Sequence, residues 1–177
     1  MRVVAGQFKG RRLQAPRGQR TRPTADRVRE ALFSLLGPVD GLRVLDLFAG
    51  SGALGIEALS RGAAVAVFVE RDPRAVSAVR RNLELIGAEA EVHRNEALAY
   101  LGSKKAREDG PFDLVFVDPP YSSAGRLAAR LPERLPAVLA EDARIVTESD
   151  KRMPLELSLP LTTERFYGDT RIAVHNA

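Results

Sequence analysis

The chain has 177 residues, 45% of them hydrophobic and 28% charged, with a net charge of +4, so it can bury one substantial core and carry at most a short appendage. No apolar run approaches the roughly 18 residues that a membrane span needs, and the Arg-rich start lacks the apolar stretch of a secretory leader, so the expected location is the cytoplasm. With no cysteine, disulfides, thiolate metal sites and cysteine nucleophiles are excluded, including the covalent adduct through which some enzymes methylate a pyrimidine at C5.

The charge is uneven from the start. Arg2, Lys9, Arg11, Arg12, Arg17, Arg20, Arg22, Arg27 and Arg29 against Asp26 and Glu30 put the first 30 residues at +7 and leave −3 for the remainder. A basic arm on a slightly acidic body favours contact with a polyanion over a merely solvated tail. Within it, Arg2 to Phe8 and Arg12 to Ala15 read as a hairpin turning at Lys9-Gly10, and Pro16 to Pro23 as a loop. Thr24 is a suitable N-cap, with Asp26 in the first turn, for an amphipathic helix whose stripe is Val28, Ala31, Leu32, Leu35 and Leu36. Gly37-Pro38 ends it. The stripe should dock on the main body and leave Arg27 or Arg29 facing a ligand or solvent.

From Arg43 onward strands and helices alternate. Strands are expected at Val44 to Phe48, Val65 to Glu70, Glu91 to Arg94, Phe112 to Asp118 and Arg144 to Glu148. Helices are expected at Gly52 to Arg61, Pro73 to Ile86, Glu96 to Leu101 and, interrupted by Pro132 and Pro136, Arg126 to Leu139. Lys104 to Gly110 reads as a polar surface loop. The strands are near-continuous apolar runs, the pattern of parallel strands covered on both faces. Thr162 to Tyr167 and Thr170 to His175 flank Gly168-Asp169 as a terminal hairpin. His93 and His175 fall in separate segments without ligand spacing, so no metal site is expected.

The first of these strands runs into Asp46-Leu47-Phe48-Ala49-Gly50-Ser51-Gly52-Ala53-Leu54-Gly55, with Glu70 at the end of the next. Taken literally this is the dinucleotide fingerprint, and a nicotinamide enzyme is a real competitor. Asp46 separates the readings: a carboxylate there repels a pyrophosphate on the glycine turn but attracts a methionine ammonium. S-adenosylmethionine fits, with Glu70 accepting the ribose hydroxyls, although adenosine is common to both ligands and Glu70 does not discriminate. Asn95-Glu96-Ala97 follows the third strand, where Glu96 can accept from the adenine amino group and the Ala97 N–H can meet a ring nitrogen; Asn95 as a helix N-cap is an equally good reading of the side chains.

After the apolar run Leu114 to Val117 comes Asp118-Pro119-Pro120-Tyr121. A planar exocyclic amine has two N–H groups to satisfy, and Asp118 Oδ with the Pro119 carbonyl supplies two acceptors. The prolines fix φ and remove competing donors, which leaves the Tyr121 ring able to stack on a base. A Pro-Pro turn ending a strand, with Tyr121 as core filler, is the alternative for these four residues alone.

Together Asp46 to Gly55, Glu70 and Asp118 to Tyr121 resemble the amino-group branch of class I S-adenosylmethionine-dependent methyltransferases. Adding Arg22-Pro23-Thr24, Asp26-Arg27-Val28-Arg29-Glu30 and Gly55-Ile56-Glu57-Ala58-Leu59-Ser60-Arg61, nearly the whole chain resembles the bacterial small-subunit (16S) ribosomal RNA guanine-N2 methyltransferase family. Asp-Pro-Pro-Tyr alone is shared with DNA adenine and protein glutamine methyltransferases and indicates reaction type only. The resemblance implies a Rossmann-like α/β fold with a mostly parallel seven-stranded sheet and a C-terminal antiparallel hairpin. It also implies a monomer and a guanine target in ribosomal RNA, free or in a partly assembled subunit. Residues 1–38 are then a basic RNA-contacting extension and residues 39–177 the methyltransferase domain. Expected site residues are Asp118, Pro119, Pro120 and Tyr121 for catalysis; Asp46, Phe48, Ala49, Gly50, Gly52, Glu70, Arg71, Glu96 and Ala97 for S-adenosylmethionine; and Arg11, Arg12, Arg20, Arg22, Arg27 and Arg29 for RNA. An amino-methyltransferase acting on DNA adenine or protein glutamine, a nicotinamide oxidoreductase and a non-catalytic ribosome-assembly factor stay open as rivals.

Overall fold

The computed structural model describes residues 1–16, 26–120 and 124–177; the expected cap Thr24, the RNA candidates Arg20 and Arg22, and Tyr121 lie outside them. Seven strands form one sheet in the order β3-β2-β1-β4-β5-β7-β6. Strands β1 (Arg43–Asp46), β2 (Val65–Glu70), β3 (Glu91–Arg94), β4 (Phe112–Val117) and β5 (Leu139–Asp150) are parallel. The last two, β6 (Leu161–Tyr167) and β7 (Thr170–Asn176), form the expected hairpin and join β5 antiparallel through β7. This is the Rossmann-like, mostly parallel arrangement expected from the sequence.

Alternation along each strand divides the core in two. Val44, Phe68, Leu114 and Phe116 face one side, under α1 (Asp26–Leu36), α2 (Ala53–Ser60) and α3 (Pro73–Ile86). Leu45, Val67, Val115 and Val117 face the other, under α4 (Ala97–Leu101), α5 (Lys104–Asp109) and α6 (Ala124–Arg134). Local chemistry fixes α3 at both ends: Asp72 caps it by accepting from the Arg74 N–H at 2.8 Å, Pro73 opens it, and Gly87 closes it at φ 70°.

Three expectations are corrected. Of the stretch expected as a loop, Lys104–Asp109 is instead helix α5, capped by Ser103, ended by Gly110 and carrying the ion pairs Lys104–Glu108 at 3.1 Å and Lys105–Asp109 at 2.8 Å one turn apart. The single helix expected to reach Leu139 ends at Arg134 and gives way to a 3-10 turn, Leu135–Val138, while β5 begins earlier than expected at Leu139. The N-terminal hairpin is reduced to one antiparallel bridge, Arg2 with Arg12, because the backbone donors of Val4, Ala5, Gln7 and Phe8 are spent on α2.

Those donors meet Glu57 and its neighbours. The Val4 and Ala5 N–H groups donate to Glu57 at 2.8 and 2.9 Å, and the Gln7 N–H to the Ser60 carbonyl at 2.8 Å. Gly6, at φ 81°, presses so close that a Cβ there would lie 1.7 Å from the Ser60 carbonyl oxygen. Arg29 completes this junction. It is 0% exposed, 3.4 Å from the equally buried Glu57 carboxylate and 3.0 Å from Asp26, and it donates to the Arg2 carbonyl. The assignment of Arg29 to RNA is therefore corrected: of the two arginines, Arg27 is exposed and Arg29 is a buried structural cation. Farther along, buried Asn82 of α3 accepts from the Gln14 N–H at 2.8 Å and donates to the Gln14 and Ser51 carbonyls at 3.0 and 2.9 Å. One side chain thus ties the arm to the loop after β1.

Candidate functional site

The parallel strands deliver carboxylates to a common edge. Asp46 ends β1, Glu70 ends β2, Asp118 follows β4, and Glu148 lies near the end of β5. A cleft of about 980 Å³ opens over them, and Phe48, Ala49, Gly50, Arg71, Glu96, Ala97, Pro119 and Pro120 also line it. The structure therefore brings together all the described cofactor and catalytic candidates except Gly52.

The turn after β1 explains the glycines. Gly50, at φ 55°, has an open Cβ direction and donates its N–H to Glu70 Oε2 at 2.9 Å. Gly52, at φ 81°, faces the protein interior, where a Cβ would meet Val79 at 3.2 Å and Phe68 at 3.4 Å. It serves the turn and does not line the cleft. Gly55 lets α2 approach β2, since a Cβ there would lie 2.4 Å from the Phe68 ring. Glu70 accepts a second backbone bond, from the Asp72 N–H at 2.8 Å, so its carboxylate is oriented while retaining lone pairs for hydroxyl donors.

Asp46 is buried and accepts from the Gly55 N–H at 3.0 Å. Burial pushes its carboxyl up to about 7 against the pull of that hydrogen bond, and the charge of Glu70 adds to the rise. Asp118 is raised well above the ordinary aspartate value, first by burial and then by the charges of Glu148 and Asp46. Crowded acids of this kind repel an anion and favour a cation. Asp46 and Glu70 offer acceptors that a ligand with a cationic group and hydroxyl donors would satisfy.

Glu96 is the N-cap of α4, accepting from the Ala99 N–H at 3.1 Å, while Asn95 accepts from the Glu96 N–H at 2.8 Å. The cap thus falls one residue later than the Asn95 reading. Arg11, Arg12 and Arg27 are exposed and stand outside the cleft lining.

Sequence reasoning missed Glu148. The pairing of Val117 with Thr147 sets it beside Asp118, and its only signal is an acid at the carboxyl end of a strand whose neighbour must first be known. It also missed Arg126, Arg130 and Arg134, which line the cleft from α6.

A family model described as "Conserved hypothetical protein 95" matches residues 1–176. The Bacillus subtilis protein YlbH, which bears a provisional name as an rRNA methyltransferase, is 43% identical over 99% of this chain and 98% of its own length. Escherichia coli Ribosomal RNA small subunit methyltransferase D is 45% identical over 68% of this chain and 60% of its own. A solved Escherichia coli structure, provisionally named methyltransferase yhhF, superposes with a TM-score of 0.82 at 36% identity, covering 99% of this chain and 97% of that one.

Proposed function

This chain belongs to the Conserved hypothetical protein 95 family, and from that premise we propose that it transfers a methyl group from S-adenosylmethionine to the exocyclic N2 of a guanine in small-subunit (16S) ribosomal RNA. The observation that carries the reaction class is the meeting of Asp46, Asp118 and Glu148 in one cleft at a glycine turn. A pyrophosphate in that cleft would face three acids, which disfavours the nicotinamide reading. The RNA target draws on the names of the relatives, and guanine N2 on the Arg-Pro-Thr and Asp-Arg-Val-Arg-Glu resemblance.

S-adenosylmethionine, when bound, supplies an electrophilic methyl on a sulfonium. Asp46 and Glu70 hold it by its ammonium and ribose, and Phe48, Ala49, Gly50, Arg71, Glu96 and Ala97 line its path. Asp118 and the Pro119 carbonyl accept the two N–H bonds of the amine, which turns its lone pair toward the methyl. As the C–N bond forms and the C–S bond breaks, Asp118 offsets the charge developing on nitrogen and helps one proton leave. Most of the gain is placement and electrostatics. Tyr121 stacks on a base that has left its helix or already lies in a loop. Residues 1–38 contact RNA and residues 39–177 carry out the transfer, in a cytoplasmic monomer.

The test uses labelled S-adenosylmethionine, with unmodified small-subunit rRNA and partly assembled subunits as substrates, followed by mass mapping. One N2-methylated guanine is expected. Label on an adenine amine, on a protein glutamine or nowhere overturns the reading.

A further inference from the structure

We propose that Arg126, Arg130 and Arg134 of α6 form a second phosphate track, so that the RNA backbone is held on both rims of the cleft and not by the N-terminal arm alone. This inference rests on the proposed RNA substrate. The three residues recur every fourth position, which places their guanidiniums on one face of the helix, about 6 Å apart by the helical rise. All three are exposed, and all three line the cleft that contains Asp118. Among the described residues, none of the three guanidiniums forms an ion pair or a hydrogen bond.

That lack of partners distinguishes the row from arginines elsewhere in the fold. Arg29 and Arg61 are matched by Glu57, and Arg171 by Glu156 and Glu164. A row of three unmatched cations repels itself unless an anion lies along it. S-adenosylmethionine has a single carboxylate and cannot span three guanidiniums. A strand of RNA presents one phosphate after another, and guanidinium forks suit phosphate oxygens.

Position supports the same partner. The N-terminal arm packs with α1 and α2 on one face of the sheet, whereas α6 packs with α4 on the other. Asp118 lies between them at the sheet edge. A base inserted toward Asp118 therefore has chain leaving it on both sides, one side toward the arm and the other along α6.

The test is a combined Arg126→Gln, Arg130→Gln, Arg134→Gln variant, titrated with unmodified small-subunit rRNA over a series of salt concentrations. Its affinity should fall by about tenfold or more at low salt, and the slope of log K against log salt should lose about 2, at roughly 0.7 per contact to a single strand. The triple Lys variant should retain most of the slope, and S-adenosylmethionine affinity should be unchanged in both. An unchanged slope overturns the proposal. So does a loss of S-adenosylmethionine affinity with RNA binding intact, which would make the row a cofactor clamp. Wild-type binding of naked rRNA with lost methylation of the protein-containing particle also overturns it, since the row would then face an acidic protein. If the triple Gln variant does not fold, Arg130→Gln alone should remove about a third of the slope change, and no change there sinks the idea. RNA binding is read independently of the methylated atom, so wild type that methylates guanine with an unaltered variant slope defeats this inference only. Wild type that methylates no rRNA defeats the reaction proposed above.

Discussion

Replacing Asp46 with Asn should stabilise the protein and impair cofactor binding together. The buried Asp46 carboxyl rises from the ordinary 3.8 to about 7, and at 1.36 kcal/mol per pH unit that difference corresponds to ~4 kcal/mol. The sign follows from proton counts. Between about pH 4 and pH 7 the folded state holds a proton at Asp46 that the unfolded chain has lost, so this group's contribution is full below pH 4 and is lost as pH rises to 7. The substituted asparagine carries no such proton and can still accept from the Gly55 N–H. Wild type minus variant, measured by urea unfolding without cofactor, should therefore be flat below pH 4, fall by ~4 kcal/mol across the window and be flat above it. Calorimetry should show S-adenosylmethionine binding to wild type weakening as pH falls below about 7, where the ammonium's partner becomes neutral, and binding to the variant weak throughout. A stability difference independent of pH from about 4 to about 8 would refute the burial argument. Equal cofactor affinity in both proteins would refute the ammonium assignment.

Asp118→Ala should lower turnover by about 100-fold or more while the S-adenosylmethionine dissociation constant changes less than about threefold, as single-turnover kinetics and calorimetry would show. Glu57→Gln should destabilise the fold by about 3–5 kcal/mol in urea, because fully buried Arg29 loses its buried counter-charge and keeps only the partly exposed Asp26; removing the exposed Lys104–Glu108 pair should change stability by less than about 1 kcal/mol. Asn82→Ala leaves the Gln14 and Ser51 backbone groups without their partner, and a loss of about 2–4 kcal/mol is expected from the same unfolding measurement.

The parts of the fold that were legible are those whose causes lie close in sequence or repeat with a period. The α3 boundaries follow from Asp72-Pro73 and Gly87, and the central strands from apolar runs that only double-sided burial explains. The α5 helix was obscured because Lys-Lys-Ala-Arg-Glu-Asp offers one apolar residue, Ala106, to the core; its Ser103 cap and its charge pairs one turn apart were the readable signals. The N-terminal hairpin is shortened for a non-local reason, since Val4 and Ala5 donate to Glu57 more than 50 positions away. Arg29 was misread for the same reason. A glutamate inside Ala-Leu-Gly-Ile-Glu-Ala-Leu-Ser is itself a sign that some cation must be buried with it, and Arg29 on an amphipathic helix was available. In the site, Asp46, Glu70 and Asp118 were legible because each abuts a strand end or glycine turn, whereas Glu148 depends on the order β4-β5, which no local pattern encodes.

The acids at the sheet edge also explain why a cationic ligand belongs to this fold as much as to its chemistry. Asp46 lies under the turn that Gly50 and Glu70 fasten, and Asp118 is raised by two neighbouring acids. Parallel strands alone would not retain ionisable groups there, since amides of similar shape keep the backbone bond without the charge penalty. A bound cation changes that balance: it favours the ionised form of Asp46 and offsets the negative charge by which Asp46 otherwise raises Asp118. On the proposed mechanism, the carboxylate that accepts the amine is therefore more available with the methyl donor in the cleft than beside an ionised Asp46 alone. That coupling favours an order in which donor binding prepares the amine-binding group, with no moving part beyond the protons on the acids.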